Sequence, residues 1–419
     1  MIPLPAYRGA EVGVMGLGRS GRAAAAAFAA AGAHLHVWDD RKDLCREFGE
    51  ARPFDPSGLA RLVWSPGIPH LHPHPHPLAV RADAARVRPV ADISLLVEAM
   101  PDCRFVGVTG TNGKSTVTAL IGHALDRLGL PHAVGGNLGP AALGLPALDP
   151  GGVYVLELSS YQLALLPRPA FDVAVLLNIA PDHLDRHGGM HCYAADKARI
   201  FENQAAAVIG ESDPWCRRLA RRLRAEGRPV TAIGDDGPAL PRLPGPHNRR
   251  NAAAALAALG ALGIDRRDAL DAMSEFQGLP HRMETVGEID GVRYVNDSKA
   301  TNPDSAAFAL ASFERVRWIA GGKAKTDDLD ALRPWFGRIA KAYLIGASQA
   351  PFADALSGHA AYECLDDLDA ALAAAHRDAR PGEVVLLAPA AASFDQWESF
   401  EARGDAFREG VRVLAGGAV

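Results

Sequence analysis

With 419 residues, 48% hydrophobic and 22% charged, the chain has a globular composition and a length suited to about three domains of ~150 residues. Its net charge of −5 gives no global attraction to nucleic acid or an anionic membrane, so any anionic ligand must be held by local groups. Five scattered cysteines without a C-x-x-C pair speak against a disulfide framework and against a structural zinc site.

The amino terminus has no basic-then-apolar signal layout. The longest apolar run, Ala23 to Ala31, falls well short of the ~20 residues that span a bilayer. These features imply a soluble cytoplasmic protein, expected to be a monomer. Glu11 to Met15 and Ala33 to Trp38 read as strands around an Ala-rich helix from Arg19 to Ala31, and Leu62 to Trp64 as a third strand. The run His70-Leu71-His72-Pro73-His74-Pro75-His76-Pro77 reads as an extended solvated loop, because alternating prolines splay the imidazoles apart.

A second unit starts with the strand Phe105 to Val108, followed by a glycine-rich turn and a helix from Lys114 to Leu128. Strands at Val153 to Leu158 and Val173 to Asn178 and a helix from Asn251 to Leu262 complete it, and Gly278-Leu279-Pro280 reads as a hinge. The last unit carries strands at Tyr294-Val295, Arg317 to Ala320, Ala342 to Ile345 and Val384 to Leu387. Strands alternating with helices predict open parallel sheets. The fold class is therefore α/β, with three consecutive open-sheet domains at 1–98, 99–278 and 279–419: Rossmann-like, P-loop-type and Rossmann-like.

Two glycine motifs follow strands. Gly16-Leu17-Gly18-Arg19-Ser20-Gly21 fits G-x-G-x-x-G, with Asp39 after the second strand. Glycines there allow a tight turn and a close approach of a diphosphate to a helix N-terminus. Any diphosphate-bearing nucleotide satisfies that physics, so a nicotinamide cofactor stays open on this motif alone. Gly107 to Thr116 is more specific. A strand delivers Thr109-Gly110-Thr111-Asn112-Gly113-Lys114-Ser115-Thr116, whose amides cradle phosphates while Lys114 reaches the β/γ-phosphates and Ser115 can ligate Mg²⁺. Val108 stands where the strict motif has its first glycine. ATP binding is the reading.

From Gly110 onward the chain resembles the Mur ligases of peptidoglycan synthesis. The matching blocks include Glu157 to Leu163 (E-L-S-S-Y-Q-L), Asn178 to Asp185 (N-I-A-P-D-H-L-D), Tyr193 to Asn203, His247 to Asn251, Leu279 to Arg282, Asn296 to Asn302 (N-D-S-K-A-T-N), Gly321 to Lys325, and Pro389 to Gly404. D-S-K-A-T-N is the most discriminating block. It points to the branch of the family that joins D-glutamate to UDP-N-acetylmuramoyl-L-alanine at the expense of ATP, through an acyl phosphate.

The resemblance implies a role for each matching residue. Lys114, Glu157, His183, Lys197 and Lys299 would form the catalytic set. Ser115 and Glu157 would hold one Mg²⁺ and His183 a second, supported by Lys197 carbamylated by CO₂. That reaction needs a neutral amine, which burial supplies. Only seven of the chain's 44 basic residues are lysines, which makes lysines inside motifs informative. Asn251, Arg282 and Asp297 match positions around the nucleotide. Asn137 matches one along the muramoyl chain. Thr301, Lys325, Ser393 and the Phe400 backbone match a glutamate pocket. Gly18, Arg19, Ser20, Asp39, Asp40, Arg41 and Gly67 fall on the UDP side. For Ser159, Tyr161 and Asn248, local hydrogen bonding or packing is an equal reading.

Arg19-Ser20 replaces the hydrophobic-hydroxyl pair often found there, Ala391 stands where Cys is frequent, and the stretch from Lys197 to His247 is short. A ligase using L-glutamate, a nicotinamide-dependent oxidoreductase and a non-catalytic nucleotide-binding protein are the alternatives.

Overall fold

The computed structural model describes residues 1–48, 54–167, 171–203, 205–243, 245–324 and 329–416. It divides into two compact units, Met1–Pro238 with Arg250–Phe276, and Ala239–Arg249 with Gln277–Val419. Among the described residues, no helix is long and apolar enough to cross a membrane.

The first unit carries two parallel sheets. One contains β1 (Glu11–Met15), β2 (His34–Trp38), β3 (Arg61–Trp64) and β4 (Pro89–Val90), in the order β2-β1-β3-β4. The helix Arg19–Ala31 follows β1. Alanine has the best intrinsic helix propensity, and Gly32 at φ +77° ends the helix by donating its N–H to the Ala29 carbonyl. The second sheet contains β5 (Arg104–Thr109), β6 (His132–Gly136), β7 (Val153–Glu157), β8 (Val173–Leu176), β9 (Ala206–Gly210) and β10 (Val230–Ile233), in the order β10-β9-β8-β5-β7-β6.

Register decides what this second sheet presents. Val108 on β5 pairs with Glu157 on β7, Gly136 on β6 pairs with the same Glu157, and Thr109 pairs with Leu176 on β8. Because all these strands run parallel, their carboxyl ends lie along one edge, where open α/β sheets bind ligands. The phosphate turn, Glu157, Asn137 and Asn178 follow directly from those ends.

The second unit has one sheet. It contains β11 (Glu284–Ile289), β12 (Val292–Asn296), β13 (Val316–Gly321), β14 (Ile339–Ile345), β15 (Tyr362–Cys364) and β16 (Val384–Leu387), in the order β11-β12-β16-β13-β14-β15. β11 runs antiparallel to β12, and the other pairs are parallel. Successive side chains enter different cores, Val295, Trp318, Leu344 and Leu386 one and Tyr294, Ile319, Tyr343 and Leu387 the other. The two-residue period of a strand therefore buries both faces.

The helix expected at Asn251–Leu262 begins earlier and spans Pro246–Ala261. Proline is tolerated at a first helical position, where its missing N–H costs nothing, so both Asn248 and Asn251 lie on the helix.

Candidate functional site

In the first glycine turn, Gly16 has φ +84°, and a Cβ on Gly21 would sit 1.7 Å from the Gly16 carbonyl oxygen, so the turn closes only with glycine. Asp39 is buried and accepts hydrogen bonds from the Leu17 amide at 2.7 Å and the Arg41 amide at 2.9 Å. Its carboxylate braces the turn. Gly18, Arg19, Asp40, Arg41 and Gly67 are exposed, and Ser20 is half-buried. The Gly67 carbonyl accepts from Arg186 at 2.9 Å.

The phosphate turn is held from three directions. Gly113, at φ +86°, precedes the helix Lys114–Arg127, and a Cβ there would meet the Asn251 side chain at 2.5 Å. The Asn112 amide donates to Asn178 Oδ1 at 2.9 Å, and Asn178 Nδ2 donates back to the Asn112 carbonyl at 3.1 Å. Thr111 Oγ1 pairs with the Tyr193 hydroxyl at 3.0 Å. Lys114 donates to the Gly110 and Thr111 carbonyls at 3.0 and 2.7 Å, so its ammonium lies at the turn. Thr116 is buried behind it.

Glu157 is only 2% exposed. Ser115 Oγ donates to its Oε2, and Asn137 Nδ2 donates to its Oε1 at 2.6 Å. Both donors are neutral groups. A hydroxyl and a buried carboxylate beside a phosphate turn are the hard oxygen ligands that suit Mg²⁺. Among the described residues, no three His, Cys, Asp or Glu side chains converge as a metal group. Two such ligands would leave an ion to take the rest from nucleotide phosphates and water, the usual mode for Mg²⁺.

His183 is a non-glycine residue at φ +54°, a conformation that costs energy and persists where the surroundings impose it. Its ring lies 5.3 Å from that of Tyr161, and its Nε2 is 3.5 Å from Asp182 Oδ2. Burial raises the Tyr161 hydroxyl to about 12. Ser159 caps the short helix Ser160–Ala164 through a reciprocal capping box with Gln162.

Lys197 is 2% exposed, so it is not a surface cation. Its Nζ donates to the Gly110 carbonyl at 2.8 Å and lies 4.8 Å from the Tyr193 ring centre. Burial first, and then the Lys114 charge, push its pKa well below the usual lysine value; Asp182, Cys216 and Glu157 pull the other way. The amine is thus biased toward its neutral form.

His187 escaped sequence reasoning. Its Nδ1 pairs with Asp196 Oδ2 at 2.7 Å and its Nε2 with Ser160 Oγ at 2.9 Å, while its ring stacks on Tyr161. It ties together the segments bearing His183 and Lys197. Its position one turn beyond His183 was the available signal, but the partners are distant in sequence.

In the second unit, the Asp297 carboxylate accepts from the Met283 amide at 3.2 Å. Burial raises its pKa to about 7, against the Met283 hydrogen bond and the Arg282 charge. Lys299 Nζ lies 4.0 Å from the Phe400 ring centre, and Ser298 Oγ donates to the Phe400 carbonyl at 2.8 Å. Phe400 opens the helix Phe400–Leu414, whose N-terminal amides favour anions. Ser393 is buried, and its hydroxyl has no hydrogen-bond partner among the described residues. Thr301 is half-buried. Lys325 lies outside the described residues.

Arg403, also missed, is fully buried. It donates to Ser298 Oγ at 3.0 Å, the Ser298 carbonyl at 2.9 Å and the Ala391 carbonyl at 3.1 Å. It binds the D-S-K-A-T-N segment to the loop that carries Ser393.

Comparison with known proteins gives two family matches, the Mur ligase middle domain over residues 108–241 and the Mur ligase glutamate ligase domain over 281–391. A UDP-N-acetylmuramoylalanine--D-glutamate ligase of Paramagnetospirillum magneticum is 46% identical over 453 residues, covering 99% of each chain. Its counterpart from Sphingopyxis alaskensis is 46% identical over 438 residues, covering 99% of this chain and all of its own. The crystal structure of UDP-N-acetylmuramate-alanine ligase from Thermotoga maritima aligns with a TM-score of 0.60 at 16% identity, over 97% of this chain and 100% of that one. A bifunctional folylpolyglutamate synthase/dihydrofolate synthase from Yersinia pestis aligns with a TM-score of 0.57 at 19% identity, over 77% and 92%. Matched by both domain models and along its whole length by close relatives, this chain belongs to the Mur ligase family of ATP-dependent amide-bond ligases.

Proposed function

We propose that this ligase joins D-glutamate to UDP-N-acetylmuramoyl-L-alanine, with ATP converted to ADP and phosphate. The observation that carries the reading is the group formed by Ser115, Glu157 and Asn137 at the edge of the phosphate turn. The relatives named for this reaction, identical at 46%, support the choice of substrates.

Two anions must meet in the first step. A carboxylate oxygen of the alanyl group attacks the γ-phosphorus and ADP leaves, giving an acyl phosphate. The glutamate amine then attacks the acyl carbon, loses a proton, and phosphate departs. Positioning and charge neutralisation supply most of the acceleration in such a transfer.

Lys114 and the turn amides hold the phosphates, with Asn251 against the turn and Arg282 and Asp297 on the nucleotide. Ser115 and Glu157 would hold one Mg²⁺ and His183 a second, which when bound neutralise charge between the carboxylate and the phosphate. Lys197, as its neutral amine, takes up CO₂ and releases a proton, and the carbamate adds an anionic support on the His183 side. Lys299 neutralises phosphate charge. Ser393, Thr301, Lys325 and the Phe400 amide receive the glutamate carboxylates, consistent with the unsatisfied Ser393 hydroxyl. The glycine turn and the residues from Asp39 to Arg41 hold the UDP end. The domains are assigned to 1–98, 99–278 and 279–419.

The test is product analysis by mass spectrometry after incubation with ATP, Mg²⁺, UDP-N-acetylmuramoyl-L-alanine and either glutamate enantiomer. A product gaining one glutamate with the D form supports the reading. Product with the L form alone transfers the protein to the rival ligase, and no product removes the assignment.

A further inference from the structure

A run of contacts connects the two ligand turns of the first unit. Arg19 Nη2 donates to the Asn137 carbonyl at 3.2 Å. The Asn137 amide donates to the Glu157 carbonyl at 2.9 Å, and its side chain to Glu157 Oε1 at 2.6 Å. Glu157 Oε2 in turn receives Ser115 of the phosphate turn. Between Arg19 of the diphosphate turn and the Glu157 carboxylate there is one residue, Asn137.

The intervening turn is shaped for this. Gly136 has φ +93°, and a Cβ there would stand 2.4 Å from the Glu157 carbonyl oxygen. Gly139 has φ +88°, and a Cβ there would stand 2.6 Å from Arg19 Nη1. One glycine lets Glu157 approach, and the other lets the guanidinium lie against the turn.

Arg19 is also poorly placed for helix stability. It is the first residue of the helix Arg19–Ala31, which has no acidic residue in its first turn, and a cation there opposes the helix dipole. Its other N–H groups have no partner among the described residues, and the side chain is exposed. A guanidinium with spare donors at a helix N-terminus is suited to bidentate contact with a phosphate.

We infer that Arg19 is a positioning residue that couples the two nucleotide sites: diphosphate bound at Gly16–Gly21 fixes its guanidinium, which holds Asn137 and, through it, Glu157 in the geometry that binds magnesium-ATP. The inference rests on the ligase reading above. Without the diphosphate, Arg19 is a solvated side chain whose single long contact orders Asn137 weakly. Sugar nucleotide therefore tightens magnesium-ATP, and reciprocally magnesium-ATP tightens sugar nucleotide, as linkage requires.

Calorimetry tests this. The affinity of Mg²⁺ with the non-hydrolysable analogue AMP-PNP is measured alone and with saturating UDP-N-acetylmuramoyl-L-alanine. The native protein gains about fivefold or more, within the usual range for coupled sites. In Arg19→Ala the gain falls to near unity. Arg19→Lys keeps a charge for the diphosphate and loses the fork that also reaches Asn137, so it too falls toward unity.

A native-sized gain in either variant at saturating sugar nucleotide overturns the inference, as does a gain of one in the native protein; both leave the ligase reading standing. Native protein that binds neither ligand defeats the ligase reading itself, a separate result. Since either variant carries the test, misfolding of one does not block it.

Discussion

The Nζ of Lys197 lies 2.8 Å from the carbonyl oxygen of Gly110, inside the phosphate turn, although 87 residues separate them. A lysine buried against the turn that also holds Lys114 is under pressure to shed its proton, since burial and a like charge both disfavour the cation. Lys197→Arg keeps a permanent cation there and removes the nucleophilic amine. Turnover is expected to fall by on the order of 100-fold or more. In the native protein, activity falls in CO₂-depleted buffer and returns with bicarbonate, and ¹³CO₂ gives a carbamate resonance that the variant lacks. Bicarbonate-independent activity would remove the carbamate.

Glu157→Gln keeps the size and the contact with Asn137 but removes the charge. The variant should lose on the order of 100-fold in kcat and need more Mg²⁺ for half-maximal rate, because several kcal/mol of charge stabilisation would depend on the ion that the proposed function assigns to it. Rates measured across a Mg²⁺ titration check this. An unchanged Mg²⁺ requirement contradicts the assignment.

Asp92 carries a stability prediction. It is 1% exposed, and neither carboxylate oxygen has a hydrogen bond of normal geometry among the described residues. Burial raises its pKa to about 6, although the Ala142 and Ile93 amides and the Ser20 hydroxyl lie near enough to pull it down. The folded state therefore holds this proton more tightly than the unfolded chain does. The group costs nothing below pH 4, and stability is lost as pH rises through about 6. Asp92→Asn should raise the unfolding free energy by about 3 kcal/mol at pH 8. The gain should vanish near pH 4, as urea denaturation at the two pH values would reveal. Equal gains at both would refute the titration.

Arg403 holds its loops from inside. Arg403→Met strands the carbonyls of Ser298 and Ala391, at about 1–3 kcal/mol for each buried unpaired group. Calorimetric melting should show that loss, and the KM for glutamate should rise more than kcat falls. A variant with native melting and native KM would show that the loops are set elsewhere.

The central strands were legible because they are apolar runs bounded by turn residues, and Glu11–Met15 and Val384–Leu387 appear as read. Edge strands were not. Pro89–Val90 is too short to show a pattern, and Val230–Ile233 has two exposed residues of four. In the candidate site, Lys114 and Ser115 were legible because the phosphate turn carries its chemistry in consecutive residues, whereas Glu157, 42 residues away, was singled out only through the resemblance of its E-L-S-S-Y-Q-L block. Asn178, His187, Tyr193 and Arg403 act through partners 27 to 105 residues away, and nothing local distinguishes a buried arginine from a surface one. Burial of Lys197 also had no local mark, since its helix is short and mixed in polarity. It follows from the packing of Tyr193 against Thr111.

The most direct test of the central claim, that the alanyl carboxylate meets the terminal phosphate of ATP in this site, is isotope transfer. UDP-N-acetylmuramoyl-L-alanine labelled with ¹⁸O in that carboxylate is turned over with ATP, Mg²⁺ and D-glutamate, and the released phosphate is weighed by mass spectrometry. Fully labelled substrate should place one ¹⁸O in each phosphate released. Unlabelled phosphate accompanying amide product would contradict it.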